Sequence, residues 1–235
     1  MLRKVLYILV ISGLLGACQK DPKLVAITTV DSEFQTGIDN WTPGLAGYTA
    51  QTDSATVDWQ VSYSRLRPPL DTTRYGLKMQ STNDDTDLFM FVTKKVAGLE
   101  PLTNYYIQFD IALSTNVFKD SLDLLGKPGQ SVFLKVGAFP NEPAYVLVNG
   151  VATLNVDKGV VSKSGSDLIS LGEVNNQEIR KIFTLVHYNN PDTYTVRTNS
   201  NGELWLYLGT DSGYPGKTTY YIDRAVIKLN TRIDN

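Results

Sequence analysis

Apolar and polar residues alternate with a period of two along most of this chain, and no stretch long enough for a confident helix keeps the helical period. Tyr105, Ile107, Phe109, Ile111 and Leu113 fall on one face of a strand, while Tyr106, Gln108, Asp110 and Ala112 fall on the other, which is the pattern of a half-buried strand. Similar runs cover 57–63, 74–80, 88–95, 131–138, 180–188, 203–209 and 219–229. Glycine, proline, asparagine and aspartate punctuate them at Gly98, Pro101, 126–129, 140–143, 189–192, 199–202 and 211–216. Many strands at modest spacing predict an all-β, antiparallel sandwich or barrel, and the missing helices exclude a parallel α/β sheet. In the last run the polar pair Asp223-Arg224 breaks the phase, as a bulge or an edge position would. The connections 39–56 and 150–170 are the most irregular, and such loops are the default place for a binding site.

The first eighteen residues depart from this pattern. Arg3 and Lys4 precede an uncharged run at 5–15, which is shorter than the roughly 20 residues of a spanning helix and matches an export signal. Leu15-Gly16-Ala17-Cys18 resembles the lipobox of bacterial lipoproteins. That resemblance implies that residues 1–17 are a signal peptide, that Cys18 carries the lipid, that residues 18–23 form a lipidated tether, and that a single domain occupies 24–235. More than one acyl chain gives an anchor that a single chain does not. Gln19 after Cys18 resembles the class sent to the cell outer membrane, and Gln19-Lys20-Asp21-Pro22-Lys23 is similar to the export tags of some surface-exposed lipoproteins.

Composition narrows the classes further. Apolar residues make up 42% of the 235, enough for one continuous core, and no repeat or linker divides the chain. Losing Arg3 and Lys4 with the signal moves the formal charge from −2 to −4. A mildly acidic chain without a basic stripe is not a nucleic-acid binder. Cys18 is the one cysteine, so no disulfide, thiolate nucleophile or cysteine-ligated zinc is available.

Three segments carry a family resemblance. Phe34-Gln35-Thr36-Gly37-Ile38-Asp39-Asn40-Trp41 resembles the opening of jelly-roll carbohydrate-binding modules and galactose-binding-like domains. Gly98-Leu99-Glu100-Pro101-Leu102-Thr103-Asn104-Tyr105 looks like their turn and strand, and Tyr221-Ile222-Asp223-Arg224-Ala225-Val226-Ile227 is similar to their closing strand. The resemblance implies an antiparallel jelly-roll β-sandwich with Phe34 and Trp41 packed beneath it. The segments 127–138 and 204–216 also resemble parts of Gram-negative envelope lipoproteins, which implies location and fold but no activity.

For such a domain the natural ligand is a polysaccharide or other glycan, whose rings stack on exposed aromatic faces while short polar side chains take the hydroxyls. Trp205 and Tyr207 lie on the strand face opposite Leu204, Leu206 and Leu208, and are either covered or available. Trp59, Tyr48 and Tyr214 are comparable candidates. Jelly-roll modules often carry a structural Ca2+, which wants six to eight oxygens, and Asp31, Glu33 and Asp223 would converge if the first and last strands pair. The cluster Asn83-Asp84-Asp85-Thr86-Asp87 lacks the glycine and final glutamate of an EF-hand and reads as a solvated turn. His187, the one histidine, sits in a strand-like run, and Ser131 or Ser212 beside it lacks the nucleophile-elbow pattern. A glycosidase needs a facing carboxylate pair, which 24 acidic residues do not single out. Asp53-Ser54-Ala55, Asp71-Thr72-Thr73 and Asp120-Ser121-Leu122 are similar to an O-glycosylation motif of some Gram-negative anaerobes.

The expectation is therefore a membrane-anchored, non-catalytic binding lipoprotein of the outer membrane that takes carbohydrate. The alternatives are an envelope component with a protein partner and, third, a glycoside-active enzyme.

Overall fold

The computed structural model describes residues 27–84, 87–190 and 192–231. The signal peptide, Cys18 and the tether expected at 1–23 lie outside the described residues. Strands β1 (Ile27–Ser32) and β2 (Thr42–Ala46) are followed by β3 (Tyr48–Thr49), a single helical turn α1 (Ser54–Val57), β4 (Gln60–Arg65), β5 (Tyr75–Thr82), β6 (Leu88–Val96) and β7 (Asn104–Thr115). A second helical turn, α2 (Pro128–Ser131), leads into β8 (Val132–Phe139) and the hairpin of β9 (Tyr145–Val148) and β10 (Val151–Leu154). The chain continues through β11 (Leu168–Glu173), β12 (Thr184–Asn189), β13 (Tyr194–Arg197) and β14 (Leu204–Ser212) to β15 (Lys217–Thr231).

All of these strand pairs are antiparallel. In a seven-stranded sheet β15 lies between β7 on one side and β5 and β1, end to end, on the other; β4 extends it beyond β5, and β12 and β13 beyond β7. A five-stranded sheet has the order β11-β8-β14-β6-β2. Because β1, β2, β5, β6, β7 and β8 alternate between the two sheets, as do β13, β14 and β15, the chain winds as a jelly-roll β-sandwich. Among the described residues the hydrogen-bonded framework runs from Ile27 to Thr231, all of which a chain beginning near Pro22 contains.

The period-two pattern explains the core. Tyr105, Ile107, Phe109, Ile111 and Leu113 of β7 all point inward, facing Leu204, Leu206 and Leu208 of β14 and Leu134 and Val136 of β8. Phe34 and Trp41 are buried in the same core. On β15 the register shifts between Ile222 and Arg224, so Asp223 is the extra residue of a bulge. Ile222 and Ala225 can then both point inward although they are three residues apart.

The outer face of the five-stranded sheet is also covered. A third sheet, β3-β10-β9, and the chain beyond it lie across Phe89, Phe91, Tyr207 and Leu168. Lys135 enters this layer fully buried, and its ammonium donates to the carbonyls of Lys158 (3.1 Å), Val160 (2.9 Å) and Lys163 (2.5 Å). Asp211, also fully buried, accepts from Lys158 Nζ at 2.7 Å, and the same ammonium reaches Asp87 at 3.0 Å.

Desolvation, then the neighbouring Asp87 carboxyl, pushes the Asp211 pKa up to about 7, and desolvation lowers that of Lys135. The folded protein therefore holds a proton at Asp211 that an unfolded chain releases near pH 4. The stability contributed by protonated Asp211 is full below that pH and is lost as pH rises toward 7. In urea denaturation the wild type is expected to gain on Asp211→Asn as pH falls from about 8 to about 5. A difference between the two proteins that does not change with pH would refute this.

Candidate functional site

Two of the aromatic residues singled out by sequence, Tyr48 and Trp59, line one open groove of about 490 Å³. Tyr145 joins them from β9, and Pro43, Leu45 and Val57 form the apolar wall. Thr49, Thr52 and Ser54 supply short hydroxyl side chains, and no carboxylate lines the groove. Most of these residues belong to the irregular connection 39–56.

Local chemistry sets each wall. Gly47 has φ +88, and a Cβ there would come within 1.9 Å of the Asp87 carbonyl, so the turn from β2 into β3 needs glycine. That turn delivers Tyr48, which pairs with Ala152 of β10. Asp53 caps α1 by accepting from the Ala55 amide at 3.0 Å. Asp58 ends the helical turn in the left-handed conformation and accepts from Gln60 (2.5 Å), Gln80 (2.7 Å) and Lys217 (2.6 Å). These bonds pin the chain on which Trp59 sits.

Trp59 is half-buried, with part of its ring against the main core. Tyr48 is half-buried and Tyr145 is 54% exposed. Among the described residues none of the three takes part in a ring-to-ring contact, so the rings do not cover one another. Desolvation raises the Tyr145 pKa, and the Tyr48 phenol adds to the rise.

The groove lies at one end of the sandwich. Trp59 precedes Gln60, which pairs with Gln80 and through it with Thr219, near the start of β15. Ile27 pairs with Asn230 at the other end of that strand. At the usual rise per strand residue the two ends are roughly 40 Å apart.

The other aromatic candidates are placed differently. Tyr207 is fully buried beneath the third sheet and Tyr214 is 5% exposed, so neither offers a ring face for stacking. Burial comes first in pushing the Tyr214 pKa up to about 12, and its hydroxyl donates to Asp123. Trp205 is half-buried, with Lys95 Nζ 5.1 Å from its ring centroid. The sandwich has two faces to hide on this strand, which is why the aromatic side is covered as well.

The calcium proposal is corrected by its own neighbours. The first and last strands do pair, but Arg224 takes both oxygens of Asp31, at 2.9 and 2.5 Å, and lies 3.6 Å from Glu33. Asp223 is paired with Arg74 at 2.8 Å. The Arg224 bond holds the Asp31 carboxyl below its usual range. Among the described residues no group of three or more His, Cys, Asp or Glu could hold a metal ion. Arginine has taken the role foreseen for the cation.

His187 Nδ1 lies 3.3 Å from Asp110 on the open face of the seven-stranded sheet, with both side chains exposed. Ser212 belongs to the other sheet and Ser131 ends the helical turn before it, so neither joins His187. Two described residues of the cluster expected as a solvated turn, Asn83 and Asp87, are tied to the rest of the fold. Asn83 is buried and donates to the Ser212 carbonyl at 2.8 Å, and Asp87 is held by Lys158.

No family model matches the chain, and no curated protein matches it. Among solved structures it is similar to the enzymatically active domain of tailspike protein 4 of bacteriophage CBA120, at 11% identity and TM-score 0.39 over 83% of this chain. The chain spans 20% of that protein. It is also similar to TmCBM27, a carbohydrate-binding module described for specific mannan recognition, at 10% identity and TM-score 0.38 over 89% of this chain and 99% of that one. A cyclase from Fischerella sp. TAU is similar at 12% identity and TM-score 0.40, over 88% of this chain and all of that one. At these values the three likenesses carry no argument about ligand or activity.

Proposed function

We propose that this protein is a non-catalytic binding domain that holds a carbohydrate chain in the groove of Tyr48, Trp59 and Tyr145, carried on the outer membrane by acyl chains at Cys18. The observation that supports the reading is the convergence of three aromatic rings, one exposed and two half-buried, with three short hydroxyl side chains in one open groove. Such a surface stacks the apolar faces of pyranose rings and bonds their hydroxyls, and a pocket of this size suits a few sugar units. The test is titration of a panel of oligosaccharides into protein beginning near Pro22. Binding is expected, with Trp59→Ala and Tyr145→Ala each weakening it by about tenfold, equivalent to about 1.4 kcal/mol. An intact fold that binds no glycan would remove the proposal.

One observation favours a protein partner instead. β9 is the edge of the third sheet, and all four of its residues are exposed with no charge, proline or bulge to block pairing. Under that reading Val146→Lys abolishes a partner contact and leaves glycan titrations unchanged.

A further inference from the structure

Three of the most exposed large apolar side chains in the molecule come from two adjacent loops, 116–127 and 174–183. Leu122 is 72% exposed, Leu124 104% and Ile179 92%; Leu125 beside them is 54%. The loops touch, since the Asn176 amide donates to the Val117 carbonyl at 2.7 Å and Leu122 shares a cavity with Lys181.

The leucine tip is held rigid. Asp123 and Gly126 exchange backbone hydrogen bonds, which places Leu124 and Leu125 at the centre of a tight turn. The Asp123 carboxylate accepts from the Leu125 amide at 2.8 Å, from the Gly126 amide at 3.1 Å and from the Tyr214 hydroxyl. A turn pinned at this many points presents its leucines to solvent by construction, because fraying cannot account for their exposure.

Charge is sorted around this tip. Lys119, Lys127, Arg180 and Lys181 are all exposed, and among the described residues none of them takes part in an ion pair. Two of the nearby acids are hydrogen-bonded within the loop, Asp123 to its own turn and Asp120 to Gln130 Nε2 at 3.2 Å, and both are exposed. Glu178, exposed, and Glu173, half-buried beside Asn175 in the cavity that Lys119 and Ile179 also line, are the remaining carboxylates, against four cations.

We infer that these two loops dock on an anionic lipid bilayer, the aliphatic tips entering below the headgroups and the four cations meeting them. A convex apolar tip ringed by lysine and arginine is the arrangement that binds such an interface, through buried area plus attraction to acidic lipids. A protein partner is less well matched, because the tip offers leucine and isoleucine where protein hot spots favour tryptophan, tyrosine and arginine. The tip lies at the Lys217 end of β15, since Leu122 shares a cavity with Lys217 and Thr219. Ile27 is at the opposite end of that strand.

The test uses protein beginning near Pro22, which carries no acyl chain, and sedimentation with vesicles of phosphatidylcholine alone or mixed with phosphatidylglycerol. Partition is expected onto the acidic vesicles, about tenfold above the neutral ones and weakened by added salt. Leu124→Glu combined with Ile179→Glu is expected to lower that partition by about tenfold or more with an unchanged melting curve, since both positions are solvent-exposed. Lys119→Glu with Lys127→Glu is expected to erase the preference for acidic lipid. Absence of partition, or partition unaffected by the Leu124 and Ile179 changes, would overturn the inference. So would a photo-crosslinker at position 124 that labels a protein and no lipid in cells. Glycan titrations run in parallel report on the aromatic groove alone, so a failure there is distinguishable.

Discussion

Replacing Lys135 with methionine is expected to cost about 3–5 kcal/mol, the range for breaking a buried charge constellation by removing one partner. Methionine keeps most of the apolar stem, so little of the loss is a cavity. The carbonyls of Lys158, Val160 and Lys163 lose their shared donor, and each unsatisfied acceptor costs about 1–3 kcal/mol if water does not reach it. Above about pH 7, where Asp211 is ionised, it also loses a nearby cation while remaining fully buried. Against a typical total stability of about 5–15 kcal/mol, this is a large fraction. Urea denaturation measures the loss, and amide exchange should show the 157–165 loop opening first. A loss under about 1 kcal/mol would mean that the loop carbonyls re-pair locally at no cost.

Trp41→Ala is expected to cost a similar amount, about 3–5 kcal/mol, because the ring is 1% exposed in the main core and the site cannot collapse around its loss. The indole also carries a hydrogen-bond chain. Its Nε1 donates to Ser32 Oγ at 3.0 Å, and that hydroxyl in turn donates to Asp39. Lys94 reaches the Asp39 carbonyl and carboxylate, both at 2.8 Å, and its ammonium lies 5.9 Å from the Trp41 ring centroid. One side chain thus ties the end of β1, the loop after it and β6. Trp41→Phe separates the two contributions, keeping most of the packing while leaving buried Ser32 without its donor, at about 1–3 kcal/mol. Equal losses for the alanine and phenylalanine variants would show that the hydrogen-bond chain, and not the packing, dominates.

How far such features can be read in advance depends on whether they are local. The alternation on β7 is legible because a strand with one buried face must repeat every two residues. The break of phase at Asp223-Arg224 is legible for the same reason, while the choice between a bulge and an edge position is made by the strand register, which shows the bulge. The hairpin of β9 and β10 is absent from the expected strands, although Asn149-Gly150 between Tyr145-Val146-Leu147-Val148 and Val151-Ala152-Thr153-Leu154 is a strong two-residue turn signal. Both central residues of that turn have positive φ, as the turn type demands. The strand expected at 57–63 begins only at Gln60, because Asp53 caps a helical turn that takes Val57.

Tyr48 and Trp59 can be named from sequence, but not as neighbours. They are brought together by separate elements, and Tyr145 reaches them only because the hairpin folds back over β2 and β3. Lys135 carries no sequence signal, since a lone lysine on an otherwise apolar strand reads as an outward-facing residue. The carbonyls that hold it are backbone groups, which every residue has. Tyr207 and Trp205 illustrate the same limit, because alternation shows that a strand has two faces and not whether something lies over the second.

The residue order by itself determined the sheet class, the two faces of the runs 105–113 and 204–208, and the break of phase at Asp223-Arg224. All of these follow from steric and solvation rules acting over a few neighbouring residues. Tertiary structure alone decided which aromatic rings stay open, which carboxylates meet arginine before any metal, and where a buried ammonium finds its acceptors. Those outcomes depend on which distant segments come to lie against one another, a choice made by the packing of the whole chain.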